Sequence, residues 1–412
     1  MATTRTASAS GRAFGPAPLA TLFRGRHNSI GFLRWTLAAL VVVDHSFPVG
    51  GFSGGVDPTW TLTRGQDSLG GIAVAGFFVL SGFLVTRSWF SSASVFRFVW
   101  RRFLRIFPGF WVCLIATVFV FAPIAWWHEH GTLTGLFSLE ADSPRHYVTA
   151  NFWLHIHQWN IDHMFSSSQF ANTGYEVAWN GSLWTLVYEF KCYLLLAGLG
   201  LAGVLTLPSV VAILTLICYG FMLSWKINPE WAPLLLPILG DVNVARFLFL
   251  FLLGSLFALY ADRIVIDDRL GILALLLTGL SLRQGGWLLI GYPAFAYLLM
   301  WASIRLPLAW FERPGDFSYG TYIYAFPVQM LLAESGLRRH GVGAFVAGSI
   351  GATTVVAVAS WHLIEKRALR LKNWRLPVLR RRPPVGRSPS GPSAIEDDEA
   401  ALPTAGRTGV LE

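Results

Sequence analysis

The chain has 412 residues, of which 54% are hydrophobic and only 13% charged, with a formal net charge of +9. Soluble domains carry about 25% charged residues, so this composition excludes an ordinary soluble enzyme. With a mean hydropathy of +0.51, it predicts an all-α fold, a polytopic integral membrane bundle in which the lipid bilayer is the first partner.

Residues 1–29 are rich in Ala, Ser, Thr and Gly and read as a disordered leader with no cleavable signal peptide. Ten apolar runs follow, at 31–49, 70–90, 104–125, 183–203, 205–224, 243–261, 269–282, 285–304, 317–335 and 342–363. The seventh is the shortest. With the first residues inside, the inside segments hold 24 of the 32 Lys and Arg residues, which puts both termini in the cytoplasm. Topology therefore accounts for the basic charge, and no nucleic-acid partner is implied. Cys113, Cys192 and Cys218 fall in separate spans, at spacings that suggest neither a disulfide framework nor a zinc site. From 367 to 412 the chain is basic, then Pro- and Ser-rich, then acidic, a disordered tail behind a membrane domain over 30–366.

The first span reads FLRWTLAALVVVDHSFP. Arg34 and His45 are eleven residues apart, close to three helical turns, so they share a face roughly 16 Å apart along the axis. Ionisable groups in such a run usually face a bundle interior, and this pair suggests a polar track across the membrane, with Asp44 beside it. The plainer alternative is that Arg34 snorkels to one interface while Asp44 and His45 mark the other.

In the second span, Ser81 and Gly82 between phenylalanines suit close helix approach. The stretch RRFLRIFPGFW then sets Arg101, Arg102 and Arg105 at the mouth of the bundle, with Pro108 behind them. The forked guanidinium suits phosphate, which favours a phosphorylated cytoplasmic ligand over simple positive-inside anchoring. Residues 126–182 form the largest outside loop. Its histidines match no metal-ligand spacing, so no metal is expected, and its aromatic residues suggest that it folds over the bundle.

In the fourth span, WNGSLWTLVYEFKCYLLL, Ser182 and Glu189 are nearly eclipsed, and Glu189 is expected to face the same cavity as His45. Pairing with Lys191, two residues on, is geometrically poor. Trp184 and Tyr188 on this span, and Ser318, Tyr319 and Tyr322 on the ninth, are candidate cavity-lining residues. Gln329 continues the polar stripe of the ninth span, where Pro327 should kink the helix and free a carbonyl. His362 and Glu365 close the tenth span as a candidate helix-end cap.

Taken together these motifs resemble acyltransferase family 3, the bacterial membrane O-acyltransferases. They run in order: Arg34 with His45, FFVLSGF (Phe77 to Phe83), RRFLRIFP (Arg101 to Pro108), SLWTLVYEF (Ser182 to Phe190), FSYGTYIYAFPV (Phe317 to Val328) and LIEKR (Leu363 to Arg367). The resemblance implies transfer of an acyl group, acetyl above all, from cytoplasmic acyl-CoA to a hydroxyl of a carbohydrate or lipid-linked glycan, in the bacterial inner membrane. No bound cofactor is implied beyond the acyl-CoA donor. It further implies that Arg34 and His45 are the essential catalytic pair, that Arg102 and Arg105 are the cytoplasmic Arg-x-x-Arg motif that meets acyl-CoA, and that Glu189 is the acid of the fourth span; beside these, Asp44 is a further catalytic candidate, and Arg101 and Ser81 are further candidates for acyl-CoA contact. The chain departs from the family at Ala325 and Phe326, where histidine is common, and at Phe190, where the acid is commonly followed by Glu or Gln. The chemistry fits, because a hydroxyl nucleophile needs a base and His has the pKa for it. A proton-coupled secondary transporter is the alternative, although the halves of the chain show no internal repeat.

Overall fold

The computed structural model describes residues 15–373 except 24, 26, 138–141, 167, 229 and 231–240. Most of the expected leader and tail thus lies outside the described residues. Ten helices stand where the apolar runs predict them. They are α1 (Ile30–Gly50), α2 (Leu69–Phe90), α3 (Val95–His130), α4 (Leu183–Leu201), α5 (Pro208–Ile227), α6 (Val242–Leu259), α7 (Asp268–Gln284), α8 (Trp287–Arg305), α9 (Ser318–Glu334) and α10 (Val342–Arg370). All but α7 and α9 are long and apolar enough to cross a bilayer unaided. Those two have 17 residues each, about 26 Å at 1.5 Å per residue, short of the ~30 Å hydrocarbon layer. The chain is a polytopic, all-α membrane protein.

The short α9 lies at the centre of the bundle. Every residue from Ser318 to Met330 is buried, as expected of a helix apolar on all sides. It packs against α1 on one flank and α10 on the other. Pro327 cannot donate to Ile323 O, and that carbonyl instead accepts from Asn180 Nδ2 at 2.7 Å and from the Cys113 thiol at 3.2 Å. The expected freed carbonyl is there, and a residue 143 positions away satisfies it.

Close approach by small residues is clearest between α2 and α6. A Cβ at Gly82 would meet Phe251 O at 1.9 Å, and one at Gly254 would meet Val79 O at 2.0 Å. Each helix thus presents a glycine to the other's backbone, the use of small residues expected in a membrane interface. This pins α2 against α6 and fixes the height of Ser81, next to Gly82.

Candidate functional site

Two neighbouring spaces lie among the helices and share the wall residues Val74, Thr185 and Tyr322. A small inner pocket of about 40 Å³ lies toward the end where α1 and α3 begin, here called the Arg end. A larger outer cleft, with adjoining lobes of about 490 and 340 Å³, opens under the loop joining α3 to α4. That loop folds over the bundle as expected: Trp159, Phe170 and Tyr175 wall the outer lobe, and Phe170 packs on Phe326 of α9 at 5.8 Å.

Helix α1 is unbroken from Ile30 to Gly50 and serves both spaces. Arg34 lines the inner pocket and His45 the outer cleft, so the eleven-residue register puts both groups inside the bundle. Ser182 Oγ lies 3.3 Å from His45 Nδ1, and Asp44 Oδ2 lies 3.9 Å from Nε2. Asp44 Oδ1 accepts from the Gly70 N–H at 2.9 Å, in the first turn of α2, where the helix dipole favours an anion. Phe326 stands edge-on to the imidazole at 5.1 Å, so an aromatic wall faces His45 from α9.

At the Arg end the central feature is a carboxylate that the sequence reading did not single out. Asp316 Oδ2 accepts from Arg34 Nη1 and from Arg105 Nη2, each at 2.5 Å. Its Oδ1 accepts from the hydroxyl and the backbone N–H of Ser318, which fixes the carboxylate at the start of α9. Burial alone would raise its pKa, but Arg105 and Arg34 outweigh burial and hold it well below the usual carboxylate range. The available signal was a lone acid two residues before Ser318, the spacing by which Asp caps a helix. Glu365 is also buried here and accepts from Ser360 Oγ at 3.0 Å, whereas His362 is exposed. The two do not act together as a simple helix-end cap.

Three other expectations need correction. Glu189 does not share a cavity with His45. It lines the inner pocket, where its Oε1 accepts from Ser81 Oγ at 3.0 Å and from the Tyr193 hydroxyl. Seven residues beyond Ser182, it lies about 10 Å deeper along α4. Lys191 instead lies over the Tyr188 ring at 5.4 Å. Among the candidate arginines, only Arg105 joins Arg34 in the inner pocket. Arg101 and Arg102 sit about a turn nearer the start of α3, with Arg102 beside the Tyr193 and Phe98 rings and 3.5 Å from Ser88 Oγ. Finally, Tyr188 lines neither the inner pocket nor the outer cleft, and its hydroxyl donates to Asp241 at 2.7 Å. Trp184 lines the outer cleft, Ser318 and Tyr319 line the inner pocket, and Tyr322 touches both spaces.

Two further groups complete the walls. Arg246 of α6 lines the outer cleft and donates to Asp67 at 2.6 Å, a carboxylate also held by Trp287 Nε1 at 2.9 Å. Thr185 Oγ1 and the Tyr322 hydroxyl hydrogen-bond at 2.6 Å where the inner pocket meets the outer cleft. The loop histidines form no cluster with a metal's ligand count among the described residues.

The profile of the acyltransferase domain family matches residues 27–361, most of the chain. An O-acetyl transferase of Shigella phage Sf6 is 28% identical over 84% of this chain and 96% of its own length. Nodulation protein 10 of Rhizobium leguminosarum bv. viciae is 27% identical over 84% of this chain and 95% of its own. No solved structure matches.

Proposed function

The chain belongs to acyltransferase family 3, and from that premise we propose that it moves acetyl from cytoplasmic acyl-CoA to a hydroxyl of a cell-surface glycan, lipid-linked saccharide or secreted metabolite, working in the bacterial inner membrane. One observation carries the reading: a single helix delivers Arg34 to the inner pocket and His45 to the outer cleft, with their walls meeting at Thr185 and Tyr322. A donor entering from the Arg end and an acceptor entering under the loop would meet at that junction. The name of the phage relative supports acetyl as the group moved.

In this reading the Arg end is cytoplasmic. Arg34 and Arg105 hold the anionic or polar parts of acyl-CoA, while Arg101 and Arg102 add positive charge at its entrance. Ser81 and Glu189 line the route of the acyl arm. The aromatic walls of the outer cleft suit the apolar faces of sugar rings. His45 is the base, in the tautomer whose Nδ1–H donates to Ser182 and whose Nε2 takes the acceptor's proton. Asp44 then stabilises the imidazolium. The acceptor oxygen bonds to the thioester carbon, the C–S bond breaks, and CoA leaves as the thiolate, which recovers the proton from His45.

The test is acetyl transfer from labelled acetyl-CoA by the protein in proteoliposomes, with glycan acetylation followed by mass spectrometry in cells with and without the gene. Removing a general base costs about 10²–10⁴ in rate, so His45→Ala should lose at least a hundredfold while still inserting and accumulating. Transfer by that variant at the wild-type rate would refute the assignment.

A further inference from the structure

The proposed transfer leaves one need unmet: a donor for the negative charge that develops on the thioester carbonyl oxygen. We propose that the hydroxyl pair of Thr185 and Tyr322 supplies it, making Tyr322 a catalytic residue rather than a wall of the cavity. This inference rests on the transferase reading and extends it to the other half of the chemistry.

The position follows from two independent helical spacings. Ser182 touches His45, and Thr185 lies three residues further in a tight 3₁₀ turn, about 6 Å toward the Arg end. Phe326 packs on His45, and Tyr322 lies four residues earlier on α9, again about 6 Å toward the Arg end. Both routes place the backbones that carry the hydroxyl pair about one turn nearer the Arg end than those that meet the imidazole, and His45, Thr185 and Tyr322 line the same lobe of the outer cleft. The nucleophilic oxygen and the oxyanion of one tetrahedral carbon are about 2.4 Å apart, and a hydrogen bond at each end adds about 2.8 Å. Bent at its two oxygens, such a chain spans about 6 Å, so one carbon can be served by His45 on one side and by the hydroxyls on the other.

The chemistry of the pair suits the role. Two hydroxyls joined by one hydrogen bond use one of their two protons on each other, and the second proton is free to donate. Both side chains are buried, at 5% and 7% exposure, so the donor works in a dry site where a hydrogen bond to developing charge is strong. The ring of Phe77 stands edge-on to Tyr322 at 5.8 Å and holds it in place before the substrate arrives. In the balanced step, the carbonyl π electrons move onto oxygen as the acceptor oxygen bonds to carbon. The free hydroxyl proton hydrogen-bonds that oxygen without leaving its own. The electrons return as the C–S bond breaks and CoA departs.

A pair that served only as a partition between the two spaces would behave differently on substitution, and conservative variants separate the two roles. Tyr322→Phe keeps the ring and removes the donor. In the full-length protein in nanodiscs, with acetyl-CoA as donor and water or added methyl glycosides as acceptor, release of free CoA thiol should fall about 10²–10³-fold in kcat. KM and calorimetric CoA affinity should stay at wild-type values. Thr185→Val should reduce kcat at least tenfold and Thr185→Ser less than threefold, a contrast that serves even where Tyr322→Phe accumulates poorly. Wild-type kcat in Tyr322→Phe, or a loss that appears in CoA affinity instead of kcat, overturns the proposal. Absence of thioester cleavage by the wild type is a different result, and it removes the transferase reading itself.

Discussion

Replacing Asp316 with asparagine tests the electrostatic centre of the Arg end most directly. The substitution keeps size and shape, and it removes the one negative charge that Arg34 and Arg105 share at 2.5 Å. Unit charges about 4 Å apart attract by roughly 4 kcal/mol at an effective dielectric of 20, offset in the native protein by the desolvation of all three groups. Breaking one buried pair typically costs about 3–5 kcal/mol. Here one carboxylate serves two guanidiniums, and its loss also leaves them facing each other, so the upper end, about 5 kcal/mol, is expected. The assay is equilibrium unfolding in mixed micelles. Arg34→Met, by removing the surplus cation, should be far less harmful in the Asp316→Asn background, with a coupling of about 1.5–3 kcal/mol. Because the native pKa of Asp316 is depressed, its contribution is complete above the unfolded value near 4 and lost as pH falls through the native value. The difference between wild type and Asp316→Asn should therefore narrow as pH falls below about 4. Effects of the two substitutions that simply add, within about 0.5 kcal/mol, would refute the shared-carboxylate account.

Two further predictions concern the two ends of the track. Arg105→Ala should weaken CoA binding by roughly tenfold to a hundredfold, more at low salt than at high, and more than Arg101→Ala, which calorimetry across a salt series checks. Gly70→Ala should cut kcat by about 10²-fold at unchanged CoA affinity, since a misplacement of about 1 Å near the chemistry has that effect. The reason is that its methyl would lie 2.7 Å from the Asp44 carboxylate and displace it, and single-turnover kinetics would read the loss.

Much of this architecture was legible in the sequence because hydropathy and helical period report on it directly. The ten helices and the inward face shared by Arg34 and His45 needed nothing beyond those two signals. Depth was harder to read than direction. Ser182 and Glu189 do lie on one face of α4, but a shared face says nothing about height, and about 10 Å of rise separates them into different spaces. Asp316 was missed for a related reason. A carboxylate in a short loop carries no periodicity, and its importance comes from two arginines 282 and 211 positions away.

The His45 end shows how a local rule and a distant contact combine. Pro327 removes one donor from α9, and that much follows from sequence. The fold then uses the exposed Ile323 carbonyl as a dock for Asn180, at the point where the long loop returns to the bundle. Asn180 Oδ1 accepts from the backbone N–H of Ser182 at 3.2 Å, and Ser182 in turn stands against His45. The proline thus fixes where α4 begins relative to α1, and with it the height at which Ser182 meets the imidazole. The same start of α4 sets the height of Thr185 against Tyr322, which lies one residue before Ile323 on α9. A single missing donor in the central helix therefore positions both the proposed base and the proposed oxyanion donor, so the distance between them is tied to the Asn180 contact with the Ile323 carbonyl.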